Sequence, residues 1–129
     1  MTIQLDHTIV PSRTRDASAK LLARLLAVPC GPAKEGPFFA VYVNDGLTLD
    51  FIETEEPFEV YHFCFRVEEK EFDGILERLK AAGIKYRSSV RGPVDMRINT
   101  DYGGRMIYWN EPDGHQWEIL TASYARQPK

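Results

Sequence analysis

One order of elements occurs twice in this 129-residue chain, and that repeat constrains the fold more than any other feature. Residues 1–55 read strand, helix, loop, strand, hairpin, strand; residues 58–123 read strand, helix, strand, strand, turn, strand. Each half opens on a strand with one histidine, His7 and His62. Each closes on a strand with one acid between bulky apolar neighbours, Leu49-Asp50-Phe51-Ile52 and Trp117-Glu118-Ile119-Leu120. Both halves are therefore expected to build the same small α+β unit. The separation of histidine and acid is shorter in the first half, which a missing or very short strand around residues 28–33 explains.

Taken in order, residues 3–10 read as a strand ended by Pro11, with Leu5, His7 and Ile9 on one face. Residues 12–28 read as a helix whose apolar stripe is Ala17, Leu21, Leu22, Leu25 and Val28. Residues 38–43 and 47–54 form a hairpin around Asn44-Asp45-Gly46, where Asn and Gly tolerate positive φ. Residues 58–67 read as a strand with Tyr61, Phe63 and Phe65 on one face and His62, Cys64 and Arg66 on the other. Residues 68–82 read as a helix burying Phe72, Ile75, Leu76 and Leu79 and capped by Gly83. Residues 84–90 read as a strand; residues 94–100 fit a strand or a loop equally. The last hairpin pairs residues 106–109 with 116–120 around Glu111-Pro112-Asp113-Gly114, a turn with a mechanism in each residue. Residues 124–129 read as a tail.

Composition sets outer bounds. The chain is long enough for one domain with a real core, or for two small halves sharing one. A net charge of −3 with no basic cluster argues against a nucleic-acid surface. No apolar run is long enough for a membrane helix, and the N-terminus has no secretion signal. Cys30 and Cys64 match no zinc or redox spacing, so a reducing, cytoplasmic setting is expected.

Glu118 stands in mid-strand and faces away from Trp117 and Ile119. Either its face is solvated or it lines a pocket where the carboxylate binds something. If the halves pack by a pseudo-twofold, His7, His62, Asp50 and Glu118 converge on one point. Two imidazoles and one or two carboxylates suit a divalent transition metal, and iron, manganese, zinc and nickel all accept such ligands. Such an ion polarises carbonyls, acidifies water or templates two substrates. Against this stands the ordinary strand histidine, which is packed or exposed without binding anything. His115 serves as the control, since turn geometry alone explains it as structural or solvent-exposed.

Several stretches are similar to the vicinal oxygen chelate superfamily, which includes glyoxalase I, bleomycin-resistance proteins, fosfomycin-resistance thiol transferases and extradiol dioxygenases. They are Leu5-Asp6-His7, the first helix, Tyr61-His62-Phe63, and the run from Tyr108 to Glu118. The resemblance covers nearly the whole chain. It implies two βαβββ modules forming a cleft, His7, His62 and Glu118 as metal ligands, a small-molecule substrate and a homodimer. It puts Asp50 at the place of a fourth ligand, one methylene short, so that Asp50 acts through water or as a base. It places Tyr108 against substrate. Arg66 and Cys64 share the face of His62 and are candidates for substrate contact; Arg105, beside Gly103-Gly104, is a candidate on a loop that closes. Ring cleavage or oxygenation in the manner of extradiol dioxygenases stands slightly ahead of a glyoxalase-like lyase or isomerase. A metal-free drug- or metabolite-binding protein is the third reading, disfavoured because it has no use for His7, His62 and Glu118 together.

Overall fold

A computed structural model describes residues 2–126; of the expected tail, residues 127–129 lie outside the described residues. The elements are β1 (His7–Ser12), α1 (Arg15–Leu26), β2 (Cys30–Pro32), β3 (Phe38–Asn44), β4 (Leu47–Glu53), β5 (His62–Arg66), α2 (Glu69–Ala81), β6 (Met106–Asn110) and β7 (Gln116–Leu120). The chain divides into two compact units between Glu59 and Val60. Among the described residues no helix is long and apolar enough to cross a membrane.

The first unit is a four-stranded sheet in the order β1-β4-β3-β2, with β1 parallel to β4 and the other pairs antiparallel. Period-two alternation sorts its residues. Val10, Phe39, Val41, Leu49 and Phe51 are buried on one face, and α1 packs on β3 and β4 with Ser18, Ala19, Leu22, Ala23 and Leu25 buried. That stripe lies one residue off the expected one: Ala17 is exposed. The opposite face carries His7, Ile9, Thr48 and Asp50. The short strand that the shorter spacing called for is β2.

Two local expectations fail here. Pro11 does not end the first strand; β1 runs from His7 through Pro11 to Ser12. Proline is tolerated because β1 is an edge strand and needs no donor on its outer side. The turn after Asn44 uses no left-handed φ. Instead the Asn44 side chain accepts a bond from the Gly46 N–H at 2.8 Å, an Asx turn.

The second unit is a three-stranded sheet in the order β5-β7-β6, with β5 parallel and β6 antiparallel to β7. Phe63 stacks on Trp117 at 5.4 Å and Phe65 lies 6.2 Å from the same ring. Trp109, Ile107 and Ile119 are buried on that face too. Helix α2 buries Phe72, Ile75, Leu76 and Leu79 as its spacing predicts. A capping box between Glu68 and Glu71 starts it, and Gly83 follows its end at φ 70°. Residues 84–90 form no strand among the described residues. They touch the sheet through the single bridge of Arg87 to Tyr108, and residues 94–100 through that of Asn99 to Met106. Their polar groups are satisfied locally instead: Asp95 bonds the Ser88 N–H and hydroxyl and the Arg97 N–H, which lowers its pKa, Ser88 contributing most.

The closing turn is as expected, with Gly114 at φ 97°. His115, however, is fully buried, so only the structural half of its reading holds. Its Nδ1 accepts the Tyr61 N–H at 2.9 Å, its own N–H donates to Glu111 Oε1 at 3.0 Å, and its ring stacks on Tyr61. Glu111 Oε2 is buried without a hydrogen-bond partner among the described residues. Burial raises the Glu111 pKa, opposed by the bond from His115. A carboxyl whose folded pKa is raised binds its proton more tightly folded than unfolded. Its contribution is therefore present in acid and lost as pH rises through the folded value. Glu111→Gln keeps the acceptor and removes the charge. It is expected to stabilise the protein at pH 7 by about 1 kcal/mol and by little near pH 4, in urea titrations at the two pH values.

Candidate functional site

The repeat is plainest in strand register. In the first unit β1 and β4 pair His7 with Thr48 and Ile9 with Asp50. In the second, β5 and β7 pair His62 with Gln116 and Cys64 with Glu118. Each unit thus sets a histidine and an acid two positions along on the neighbouring parallel strand, on one face. The unequal sequence separations disappear in the register because the loops absorb them.

In the second unit the pair is in contact. His62 Nε2 lies 2.9 Å from Glu118 Oε1, and His62 Nδ1 is bonded to Gln116 Oε1. Glu118 has no exposed surface at all, which removes the solvated-face reading. Its Oε1 also accepts the Tyr124 hydroxyl at 2.9 Å, while Oε2 is buried with no hydrogen-bond partner among the described residues. Tyr108 pairs directly with Glu118 across β6 and β7 and holds its ring 6.0 Å from that of His62. Burial raises the pKa of Tyr108, and burial with the bonds to Tyr108 and Glu118 raises that of Tyr124. The Cys64 thiol is pushed up to about 12, first by desolvation and then by the Glu118 charge, so it stands there as a neutral thiol.

In the first unit His7 Nδ1 lies 2.7 Å from Asp6 Oδ2. That bond raises the His7 pKa; desolvation opposes it, and the charges of Asp6 and Asp50 add to it. A carboxylate on Nδ1 leaves Nε2 to face outward, the arrangement seen behind metal-bound imidazoles. Among the described residues no three His, Cys, Asp or Glu side chains form a group able to hold a metal ion by themselves. What the structure brings together is two pairs, His62 with Glu118 and His7 with Asp50. The donor chemistry fits a divalent cation: a buried carboxylate with one oxygen unpaired, beside an imidazole nitrogen.

Arg105 does not join them. It bonds Glu69 and Asp73, each at 2.8 Å, and lies over the Phe72 ring at 4.3 Å. It is a clamp between the start of β6 and α2. Arg66 shares the strand face of His62 but pairs with Leu120, beyond Glu118. Two residues touch this pair that sequence reasoning passed over, Gln116 and Tyr124. Gln116 carried a signal, since it lies on the same strand face as Glu118. Tyr124 carried none, being at the start of the presumed tail.

No family model matches the chain. Among solved structures, Oxidase ChaP-H2 is 38% identical over 96% of this chain and 97% of that one, with a TM-score of 0.89. Oxidase ChaP-H1 is 39% identical over 97% of this chain and all of that one, with a TM-score of 0.88. The chain belongs to the vicinal oxygen chelate superfamily. A more distant superfamily fold, a mutant of the fosfomycin resistance protein FosX from Listeria monocytogenes, is 20% identical over 97% of this chain and 96% of that one, with a TM-score of 0.70. That protein was solved with Mn(II) and a dihydroxypropylphosphonic acid. The two α+β units described above are what this superfamily's neighbours share.

Proposed function

We propose that this protein is a metal-dependent oxidase or oxygenase acting on a small substrate that presents adjacent oxygens. The observation that carries it is the buried Glu118 carboxylate, unpaired at Oε2 and in contact with His62 Nε2. A buried carboxylate without a partner is costly, and a bound cation offsets that cost. The oxidases at 38% and 39% identity favour oxygen chemistry among the superfamily's reactions.

In this reading His7, His62 and Glu118 are the metal ligands that the resemblance implies. Iron is the metal favoured by oxygen chemistry, with manganese, zinc and nickel as the other candidates. When bound, such an ion supplies open positions at which adjacent substrate oxygens bind. The chain's own residues do the rest. Asp50, on the strand face of His7, acts as the base that takes a proton from a substrate hydroxyl. The Tyr108 phenol, kept protonated at neutral pH by burial, donates to a substrate oxygen, Tyr124 keeps its proton on Glu118, and Cys64 stays a neutral wall. The same Asp50 supports a second reading, a glyoxalase-like lyase or isomerase, because a carboxylate there can remove a proton beside a carbonyl. The reading includes a cytoplasmic homodimer, supported by free cysteines and by the exposed apolar residues Ile3 and Leu5.

Metal content of untagged protein beside a His62→Ala, Glu118→Ala double variant tests it, together with oxygen uptake on a panel of catechols and hydroxyketones. Iron near one per chain, absent from the variant, with oxygen uptake on a panel member is the expected result. Zinc or nickel with no oxygen uptake would turn the assignment to the lyase. No metal after reconstitution with iron, manganese, nickel and zinc in turn would leave a metal-free binding protein.

A further inference from the structure

We infer that Gln116 is a positioning residue that selects the tautomer of His62, and that the Val90 carbonyl in turn orients Gln116. Two one-way hydrogen bonds fix this arrangement. An amide's oxygen and nitrogen are told apart by their partners. The Val90 carbonyl can only accept, and it lies 3.0 Å from the Gln116 side-chain nitrogen, so the NH2 must face it. The amide oxygen is left for His62 Nδ1. That oxygen also only accepts, so Nδ1 must carry a proton. In the neutral ring the lone pair is then on Nε2, the nitrogen that meets Glu118.

Val90 is itself held. Arg87 donates to its carbonyl at 3.2 Å and to that of Ser89 at 3.0 Å. Arg87 also bonds the Asn110 side-chain oxygen, and Asn110 pairs with Gln116 across β6 and β7. Residues 87–90, which form no strand among the described residues, thus supply one fixed acceptor. That acceptor aligns the amide, and the amide aligns the imidazole. Two lone pairs, on Nε2 and on Glu118 Oε1, are left facing each other at 2.9 Å, a contact that a proton or a cation between them turns from repulsive to attractive.

The tautomer is independent of any metal, whereas its consequence for metal binding rests on His62 being a ligand as proposed above. Nitrogen-15 spectra of the metal-free protein at pH 8.5, with the His62 signals assigned by their loss in His62→Ala, read the tautomer directly. The wild type is expected to show the Nδ1–H form. Gln116→Leu should move His62 mainly to the Nε2–H form, and Gln116→Glu, which still accepts from Nδ1, should retain the wild-type form. Titration with Mn(II) should show affinity about 10- to 100-fold weaker in Gln116→Leu and restored in large part in Gln116→Glu. A Gln116→Leu protein that keeps the Nδ1–H form overturns the proposal. So does one that changes tautomer yet binds Mn(II) with wild-type affinity. If the tautomer shifts but no protein binds Mn(II), the positioning role stands and the ligand role of His62 falls.

Discussion

Glu118→Gln is expected to raise the melting temperature of the metal-free protein while abolishing its metal binding. The two effects have one cause. Glu118 is fully buried, and one of its oxygens has no hydrogen-bond partner among the described residues. A carboxylate in that position is stabilised less than it would be in water. Gln is nearly isosteric and neutral. Its oxygen at the Oε1 position still accepts the Tyr124 hydroxyl, and its neutral NH2 takes the place of the buried Oε2. The burial penalty falls by roughly 1–3 kcal/mol, which for units of this size is a rise of several degrees. The same change removes the anionic ligand, so affinity for Fe(II) or Mn(II) should fall at least about 100-fold, or ~2.7 kcal/mol. Calorimetric melting with and without metal separates the two. The wild type should gain stability on adding metal and the variant should not. A variant less stable than wild type without metal, with unchanged metal affinity, would mean that Glu118 is a structural residue only.

Trp117→Ala should have the largest effect on stability of any single change in the second unit, about 3–5 kcal/mol. Trp117 is 1% exposed. Its ring lies between Phe63 at 5.4 Å, Phe65 at 6.2 Å and His115 at 6.0 Å. Removing it leaves three rings without their common partner and a cavity that a sheet held on both edges of β7 cannot close. A loss of that size approaches the whole stability of many domains, so the second unit should be unfolded or nearly so in urea titration. The first unit has its own buried face against α1, and Leu22→Ala there should leave the spectroscopic signals of Trp109 and Trp117 at native values until the whole chain melts. A Trp117→Ala protein within about 1 kcal/mol of wild type would show that the aromatic stack is not the core of this unit.

The elements that sequence reading placed correctly are those whose causes are local. Strand β7 and the turn from Glu111 to Gly114 follow from alternation and turn chemistry within a few residues. The four buried residues of α2 follow from helical period alone. His62 and Glu118 were legible as a pair because each stands in a strand whose other face is apolar. Pro11 was misread for want of one non-local fact: β1 lies at a sheet edge, where a missing N–H is harmless. Residues 84–90 have the composition of a strand, but among the described residues their backbone pairs with that of the sheet at Arg87 alone, and a strand needs a partner along its length.

By itself the sequence determined a two-fold repeat of a small α+β unit, the turn and helix positions, and the identity of four chemically able residues, His7, Asp50, His62 and Glu118. Only the tertiary structure decided that Glu118 is buried rather than solvated, that Arg105 belongs to α2, and that Gln116 and Tyr124 touch the histidine–carboxylate pair. The physical reason is the range over which each cause acts. Periodicity and turn chemistry are written within a few neighbouring residues, whereas desolvation and hydrogen-bond partnership depend on what the folded chain brings from 26 residues away, as for Gln116 and Val90, or from 54, as for His62 and Gln116.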